Sequence, residues 1–94
     1  MIKRQSITES YASIKKSNPD CVLLFRMGDF YELLFDDAKV CSKILGLTLI
    51  SRDRLKNGVD SVAMAGFPYH QLEGYIAKLL HAGKKVAVVE SEVS

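Results

Sequence analysis

Cysteine, long apolar runs and an excess of one charge sign are all scarce in this sequence. Two cysteines, Cys21 and Cys41, are too few for a disulfide scaffold or a four-ligand zinc site. Each lies among apolar residues, which favours a reduced, buried and unreactive thiol. No apolar run approaches the roughly 18 residues of a membrane span, and residues 1–6 carry no apolar signal segment. We therefore expect a cytoplasmic location.

The charge is nearly balanced, with 13 lysines and arginines against 11 aspartates and glutamates and a net charge of +2. A protein that holds nucleic acid by charge alone is normally far more basic. Composition therefore does not suggest DNA or RNA, and such a function would have to come from local features. With 94 residues, of which 48% are apolar, the chain predicts one globular domain over residues 1–94.

The spacing of apolar residues predicts an α/β (α+β) domain, a mixed β-sheet flanked by helices. Helices are predicted over Ser6–Lys16, Asp36–Leu45 and Tyr69–Ala82, and strands over Cys21–Phe25, Leu47–Ser51, Val62–Ala65 and Lys85–Glu90. The run Phe30–Phe35 fits either a further strand or the first turns of a helix. The expected core comprises Val22, Leu24, Leu49, Ala63, Ile76, Leu79, Leu80, Val86 and Val88.

One segment, residues 26–32 (RMGDFYE), departs from the ordinary pattern of a core strand. A glycine and an aspartate interrupt an apolar run, and two aromatics and a carboxylate follow. If the segment is extended, its side chains alternate, so that Phe30 and Glu32 share one face and Tyr31 lies on the other. One face would then show a ring beside a carboxylate. Spacing alone favours a simpler alternative, with Phe30 buried and Glu32 a solvated charge.

An acidic cluster near this segment allows a metal-dependent nuclease site as a weaker alternative. Its members are Asp29, Glu32, Asp36 and Asp37. Asp36 and Asp37 are better placed as carboxylates at the positive N-terminal end of a helix. No lysine or histidine follows at a telling spacing, and His70 and His81 lie too far apart to share a metal on one helical turn. We therefore predict no metal site and no catalytic residues.

Three strings carry a resemblance that covers about residues 7 to 90. They are residues 24–38 (LFRMGDFYELLFDDA), 64–70 (MAGFPYH) and 83–90 (GKKVAVVE). Together, and in this order, they closely resemble the N-terminal mismatch-recognition domain, domain I, of the MutS family of DNA mismatch-repair proteins. The resemblance implies the α+β fold of that domain and a role in recognising mismatched or distorted duplex DNA.

The resemblance also implies the site residues. Family members insert a Phe-x-Glu pair into the minor groove, and in this sequence the motif places the phenylalanine at Phe30 and the glutamate at Glu32. The ring would wedge between base steps and stack on a mispaired base, while the carboxylate would hydrogen-bond that base. Contacts to the DNA backbone are expected from the basic loop, at Arg52, Arg54 and Lys56.

The sequence departs from the family at both ends. Ile7-Thr8-Glu9 stands where a Thr-Pro is usual, and Glu90-Ser91 stands where Glu-Gln is usual. Full family members are many times longer, dimeric around DNA, and carry an ATPase that uses ATP and Mg²⁺. We therefore expect residues 1–94 to be a fragment of a longer protein, non-enzymatic and without a cofactor of its own.

The expected partners are mismatched duplex DNA, the remaining domains of such a protein and a second subunit, with no membrane. A different class of function stays open. The same fold could be a non-catalytic protein-interaction module, or a MutS-I-like domain in a DNA-processing mobile-element protein. In either case Phe30 would anchor a partner protein.

Overall fold

A single mixed sheet with helices on both faces forms the described part of this computed structural model, which covers residues 7–53 and 61–90 but not the side chains of residues 52, 53 and 61. The elements are α1 (Ile7–Ser17), β1 (Cys21–Met27), β2 (Phe30–Leu34), α2 (Phe35–Leu45), β3 (Ile50–Asp53), β4 (Ser61–Pro68), a 3-10 turn (Tyr69–Gln71), α3 (Leu72–His81) and β5 (Lys85–Val89). This arrangement confirms the predicted α+β class and the order of its elements.

The described strands lie side by side in the order β3-β4-β2-β1-β5. β1 and β5 run parallel, and the other neighbouring pairs are antiparallel. Of the two alternatives for the run Phe30–Phe35, strand or helix, the strand is confirmed, because its first five residues form a central strand between β1 and β4.

Each sheet face has its own apolar core, because successive side chains of a strand point to opposite faces. On one face, which we call the α1 face, Tyr11 of α1 packs with Leu23, Phe25, Leu34, Val62 and Met64. On the other, the α2/α3 face, the core comprises Val22, Leu24, Tyr31, Leu33, Ala38, Cys41, Leu45, Ala63, Ala65, Phe67 and Leu79. The alternation along β2 therefore assigns Phe30 and Glu32 to the α1 face.

Strand β2 passes into α2 without an intervening loop. Phe35 makes this junction with a φ of 56°, the left-handed conformation that non-glycine residues seldom adopt. Its ring packs against Tyr11 with 5.0 Å between ring centroids, which ties the junction to α1. At the other end of α2, Gly46 takes a φ of 69° and its N–H donates to the carbonyl of Ser42, as in a common helix C-terminus.

Three predicted core residues are exposed instead. Leu49 precedes Ile50, the first paired residue of β3, and lies outside the strand. The predicted strand Leu47–Ser51 is therefore wrong in its bounds, because β3 covers Ile50–Asp53. Leu80 follows the buried Leu79 by about 100° around α3 and points away from the sheet. Val88 is exposed on β5, which is an edge strand of the sheet and, among the described strands, pairs only with β1.

The cysteines are both free, and Cys41 is buried while Cys21 is half-buried. Burial, and then the negative charge of Asp37, raise the pKa of the Cys41 thiol, which keeps it protonated and unreactive at neutral pH. His70 and His81 are both exposed. Within the described ranges, no helix has the length and apolar character needed to cross a membrane.

Candidate nucleic-acid interface

A tight hairpin between β1 and β2 presents the aromatic-acidic segment at one end of the sheet. Met27 pairs with Phe30, so Gly28 and Asp29 alone form the connection. Gly28 adopts a φ of 64°, which the first position of a two-residue hairpin loop requires and which glycine reaches without steric cost. The glycine singled out in the sequence therefore makes the turn that starts β2 at Phe30.

Phe30 stands at the start of β2 and is 45% exposed. Its strand neighbours are Met27 of β1 and Pro68 of β4, both half-buried. The simpler sequence interpretation, with this ring in the core, is wrong. The buried aromatic of the segment is Tyr31, only 3% exposed, and its burial on the α2/α3 face leaves Phe30 on the opposite face.

Glu32 lies one residue pair further from the turn, on the same face as Phe30. It is half-buried, with Phe25 of β1 on one side and Gly66 of β4 on the other. Its carboxylate lies against the backbone of Gly66. The ring and the carboxylate thus adjoin on one face of a central strand, as the alternation predicts.

Tyr31 links the hairpin to the end of β5, the edge strand that lies on the other side of β1. Its hydroxyl donates to Oε2 of Glu90, just beyond β5, at 2.5 Å. This hydrogen bond to a carboxylate, and then burial, raise the pKa of Tyr31, so the hydroxyl stays protonated at neutral pH. Because Tyr31 cannot turn outward without losing this bond, the orientation of its neighbours Phe30 and Glu32 is set.

A second group of polar and aromatic residues lies behind the hairpin, on the α2/α3 face, and sequence reasoning did not single it out. Nε of Arg26 donates to the carbonyl of Gly28 at 2.6 Å, and its guanidinium lies 4.2 Å from the ring centroid of Tyr69. The backbone N–H of Tyr69 donates to the carbonyl of Asp29 at 2.8 Å. The string 64–70 could have pointed to Tyr69, which is exposed beside the turn.

The expected backbone-contact residues are only partly described. Arg52 pairs through its backbone with Val62, at the opposite edge of the sheet from β5, and its side chain lies outside the description. Arg54 and Lys56 lie outside the described residues altogether. The backbone contacts expected of these three side chains therefore stay a prediction.

The acidic cluster divides between structural and surface positions. Asp37 is buried, and it accepts hydrogen bonds from Lys15 at 2.9 Å and from the N–H of Leu23 at 3.1 Å. Asp36 is exposed in the first turn of α2, and Asp29 in the hairpin turn. Among residues 7–53 and 61–90, no three His, Cys, Asp or Glu side chains group closely enough to hold a metal ion.

The family of the chain follows from sequence comparison. Residues 5–94 match the family model described as MutS domain I. This chain belongs to the MutS domain I family. It is also 50% identical over 82 residues to the DNA mismatch repair protein MutS of Rickettsia akari (strain Hartford). The match covers 87% of this chain and 9% of that relative, so the chain spans about a tenth of the relative's length.

Within this MutS domain I, the three recognisable strings lie on neighbouring elements. Residues 24–38 run through β1, the hairpin and β2 into α2, residues 64–70 close β4 and enter the 3-10 turn, and residues 83–90 contain β5. Because β4, β2, β1 and β5 are adjacent, the strings meet in one continuous sheet. The hairpin that carries Phe30 and Glu32 projects from its middle.

Proposed function

We propose that this MutS domain I recognises mismatched or distorted duplex DNA by inserting Phe30 into the minor groove, with Glu32 hydrogen-bonding the mispaired base. The observation that carries the proposal is the pairing of a 45% exposed phenylalanine with a half-buried glutamate on one face of a central strand, at a two-residue hairpin. Membership of the MutS domain I family and the identity to a DNA mismatch repair protein support a role in mismatch repair.

The energetics of wedge insertion suit such a site. Unstacking a base step costs a few kcal/mol, and the cost is lowest where pairing is already defective. An apolar ring therefore senses the deformability of a mismatch and not a letter code. The two-residue turn at Gly28 and the hydrogen bond from the N–H of Tyr69 to the carbonyl of Asp29 hold the hairpin in place. Insertion of Phe30 should therefore cost little conformational entropy.

The carboxylate adds selectivity to the ring. A negative charge among phosphates is repelled, and a duplex that offers no hydrogen-bond partner leaves that repulsion uncompensated. A mispaired base exposes donors and acceptors that Watson–Crick pairing otherwise occupies, so Glu32 can bond it either as a carboxylate or as the neutral acid. The pair would thus favour a mismatch both through stacking and through charge.

The proposal gives the chain a binding role and no catalytic one. Any ATP and Mg²⁺ chemistry would belong to other domains of a longer MutS protein, and the second subunit would be another copy of that protein. Backbone contacts are proposed for Arg52, Arg54 and Lys56, all in the basic loop. With a net charge of +2 and no linked second site, the 94-residue chain alone should bind duplex weakly, at roughly 10⁻⁴ M or poorer at physiological salt.

The decisive experiment places residues 5–94 in a full-length MutS protein, in place of its matching residues. Labelled homoduplex and G·T duplex are titrated with the wild-type chimera and with the Phe30→Ala variant. We expect the variant to lose the preference for G·T duplex while homoduplex binding changes much less, because only the wedge has been removed.

Leu80→Ala provides the matched control. Leu80 is an exposed apolar residue of α3, a helix that covers the other face of the sheet, and its loss should leave mismatch preference unchanged. Full discrimination in the Phe30→Ala chimera would remove the wedge from the mechanism. Binding of a partner protein that depends on Phe30, with no mismatch preference in the wild-type chimera, would favour the interaction-module alternative.

A further inference from the structure

Gly66 of β4 leaves an open space, and the Glu32 carboxylate fills it. The two residues are register partners across β2 and β4. A Cβ atom built on Gly66 would lie 2.5 Å from Oε1, 2.6 Å from Cδ and 2.6 Å from Oε2 of Glu32. These distances are far inside van der Waals contact, so the carboxylate occupies the volume in which every other residue begins its side chain.

The backbone at Gly66 does not itself need glycine. Positive φ values occur at Gly28, Gly46 and Gly83 but not at Gly66. Pairing between β2 and β4 is also continuous from Phe30–Pro68 to Leu34–Met64, which excludes a bulge at this point. Glycine inside a strand weakens the strand, and it often marks a place where another group approaches closely. What Gly66 supplies is space.

We propose that Gly66 is a positioning residue for mismatch recognition, which sets the height of the Glu32 carboxylate above the sheet relative to the Phe30 ring. This inference rests on the proposed function of that pair. Hydrogen bonds tolerate only a few tenths of an ångström in donor–acceptor distance, so the position of a carboxylate decides whether it reaches a base once the ring has stacked. Phe30 itself pairs with Pro68, outside the space that a residue-66 side chain would take.

The contact makes Gly66→Ala a selective perturbation. The atoms that would clash belong to the far end of the flexible Glu32 side chain and not to backbone, so rotation of that side chain relieves the overlap. The strand pairing and the Phe30 ring keep their places. The variant therefore moves the carboxylate without altering its charge or its hydrogen-bonding capacity.

The first measurement needs no DNA. In NMR spectra of the 94-residue chain, we expect nuclear Overhauser contacts between the Glu32 side-chain protons and the Gly66 α-protons, and we expect Gly66→Ala to shift the Glu32 side-chain resonances. Gly74→Ala is the matched control, because Gly74 is exposed in α3 and a Cβ built there meets nothing within 4 Å. Absence of the wild-type contact would overturn the inference.

The second measurement uses the full-length chimera and the ratio of its affinities for G·T duplex and homoduplex. We expect Gly66→Ala to lower this ratio between about threefold and tenfold, the worth of one hydrogen bond, and Gly74→Ala to leave it unchanged. In a Glu32→Ala background, Gly66→Ala should cause no further change, because no carboxylate remains to be displaced.

The outcomes separate this inference from the proposed function. A loss of equal size in the Glu32→Ala background would make Gly66 a purely structural residue, and an unchanged ratio in Gly66→Ala would also overturn its positioning role. Either result leaves the Phe30 wedge standing. Retained discrimination in Phe30→Ala is the separate failure of the proposed function, whatever the NMR contact shows.

Discussion

The Lys15 ammonium of α1 lies 2.9 Å from Oδ1 of Asp37 in α2, although 22 positions separate the two residues. Oδ2 of the same carboxylate accepts the backbone N–H of Leu23 in β1 at 3.1 Å, and the charge and hydrogen bonding of Asp37 contribute to the raised pKa of Tyr11 in α1. One buried carboxylate therefore joins α1, β1 and α2. It holds α1 on the face of the sheet that carries Phe30 and Glu32.

Asp37→Ala should be among the most destabilising single substitutions in this chain. It leaves a buried N–H at Leu23 unbonded and leaves Lys15 with only the Cys21 carbonyl as a partner in the described part of the chain. Breaking a buried pair from one side costs about 3–5 kcal/mol, and the partial exposure of Lys15 places the expected loss at the lower end of that range. Urea unfolding followed by circular dichroism measures the loss. Lys15→Met keeps the apolar stem and should cost less, because the Lys15 side chain is 27% exposed against 10% for Asp37. If Asp37→Ala and Lys15→Met lowered the free energy of unfolding equally, the ion pair alone would explain the role of Asp37.

Stability should fall above pH 10 partly because of Tyr11. Burial first, and then the charge of Asp37, raise the pKa of Tyr11 above the ordinary tyrosine value of 10.0. The unfolded chain therefore loses this proton at a lower pH than the folded chain, so the contribution is complete below pH 10 and is lost as the pH rises through the folded-state pKa. Tyr31 and Cys41 shift the same way, so only a comparison of variants isolates Tyr11.

Tyr11→Phe provides that comparison. At pH 8 the variant should be less stable by about 1.5–3 kcal/mol, the worth of a hydrogen bond to a charged group. The difference in unfolding free energy between wild type and variant should narrow between pH 10 and pH 11.5. Over this range the wild type loses the contribution of Tyr11, whereas the variant has no proton to lose at this position. A gap that stays constant over this range in urea unfolding would contradict the argument.

Leu79 and Leu80 are adjacent in α3, and truncation to alanine should destabilise the fold strongly at Leu79 and very little at Leu80. Leu79 is fully buried, so Leu79→Ala should cost about 2–5 kcal/mol through the cavity it leaves. Leu80 is 56% exposed, and Leu80→Ala should stay within about 0.5 kcal/mol of wild type. Phe30→Ala should also cost well under the Leu79 value, because its ring is 45% exposed. Equal losses of melting temperature for Leu79→Ala and Phe30→Ala would contradict the separation of core and site.

Periodicity was sufficient for elements whose burial follows from local spacing. Ala38, Cys41 and Leu45 form one stripe of α2 in the sequence, and all three are buried. The run Phe30–Phe35 could not be decided in this way, because it is apolar throughout apart from Glu32. Its conformation depends on pairing with β1 and β4 and on the left-handed φ of Phe35, and both of these are set by tertiary contacts.

The candidate site shows the same division. Alternation along an extended segment is sufficient to predict that Phe30 and Glu32 share one face. Gly66 lies beside Glu32 because of the register between β2 and β4, and Tyr69 lies over Arg26 because β4 ends next to the hairpin. Each of these pairs is separated by more than thirty positions in the sequence. No local pattern reports such pairings. The misplaced Leu49 and Val88 have the same origin, because apolar character alone does not tell which strand ends and sheet edges the helices cover.

Glu32→Gln should raise homoduplex affinity and so narrow discrimination in the full-length chimera. The amide keeps the shape and the hydrogen-bonding capacity of the side chain but removes a negative charge from among the phosphates. Since log affinity falls with log salt by about 0.9 per neutralised phosphate, relief of this repulsion should steepen the homoduplex slope by up to about that amount. The gain should accordingly be larger at 50 mM than at 200 mM salt, where screening is stronger.

Glu73→Gln separates the local effect from the change in net charge. Glu73 is exposed in the first turn of α3, a helix on the opposite face of the sheet, and its substitution changes the net charge by the same amount. We expect its homoduplex affinity and salt slope to match wild type. If both glutamine variants raised affinity equally, the effect would come from overall charge and not from the position of Glu32 beside the wedge. If Glu32→Gln instead lowered homoduplex affinity, the carboxylate would be making a favourable contact to ordinary duplex, and its proposed part in discrimination would be wrong.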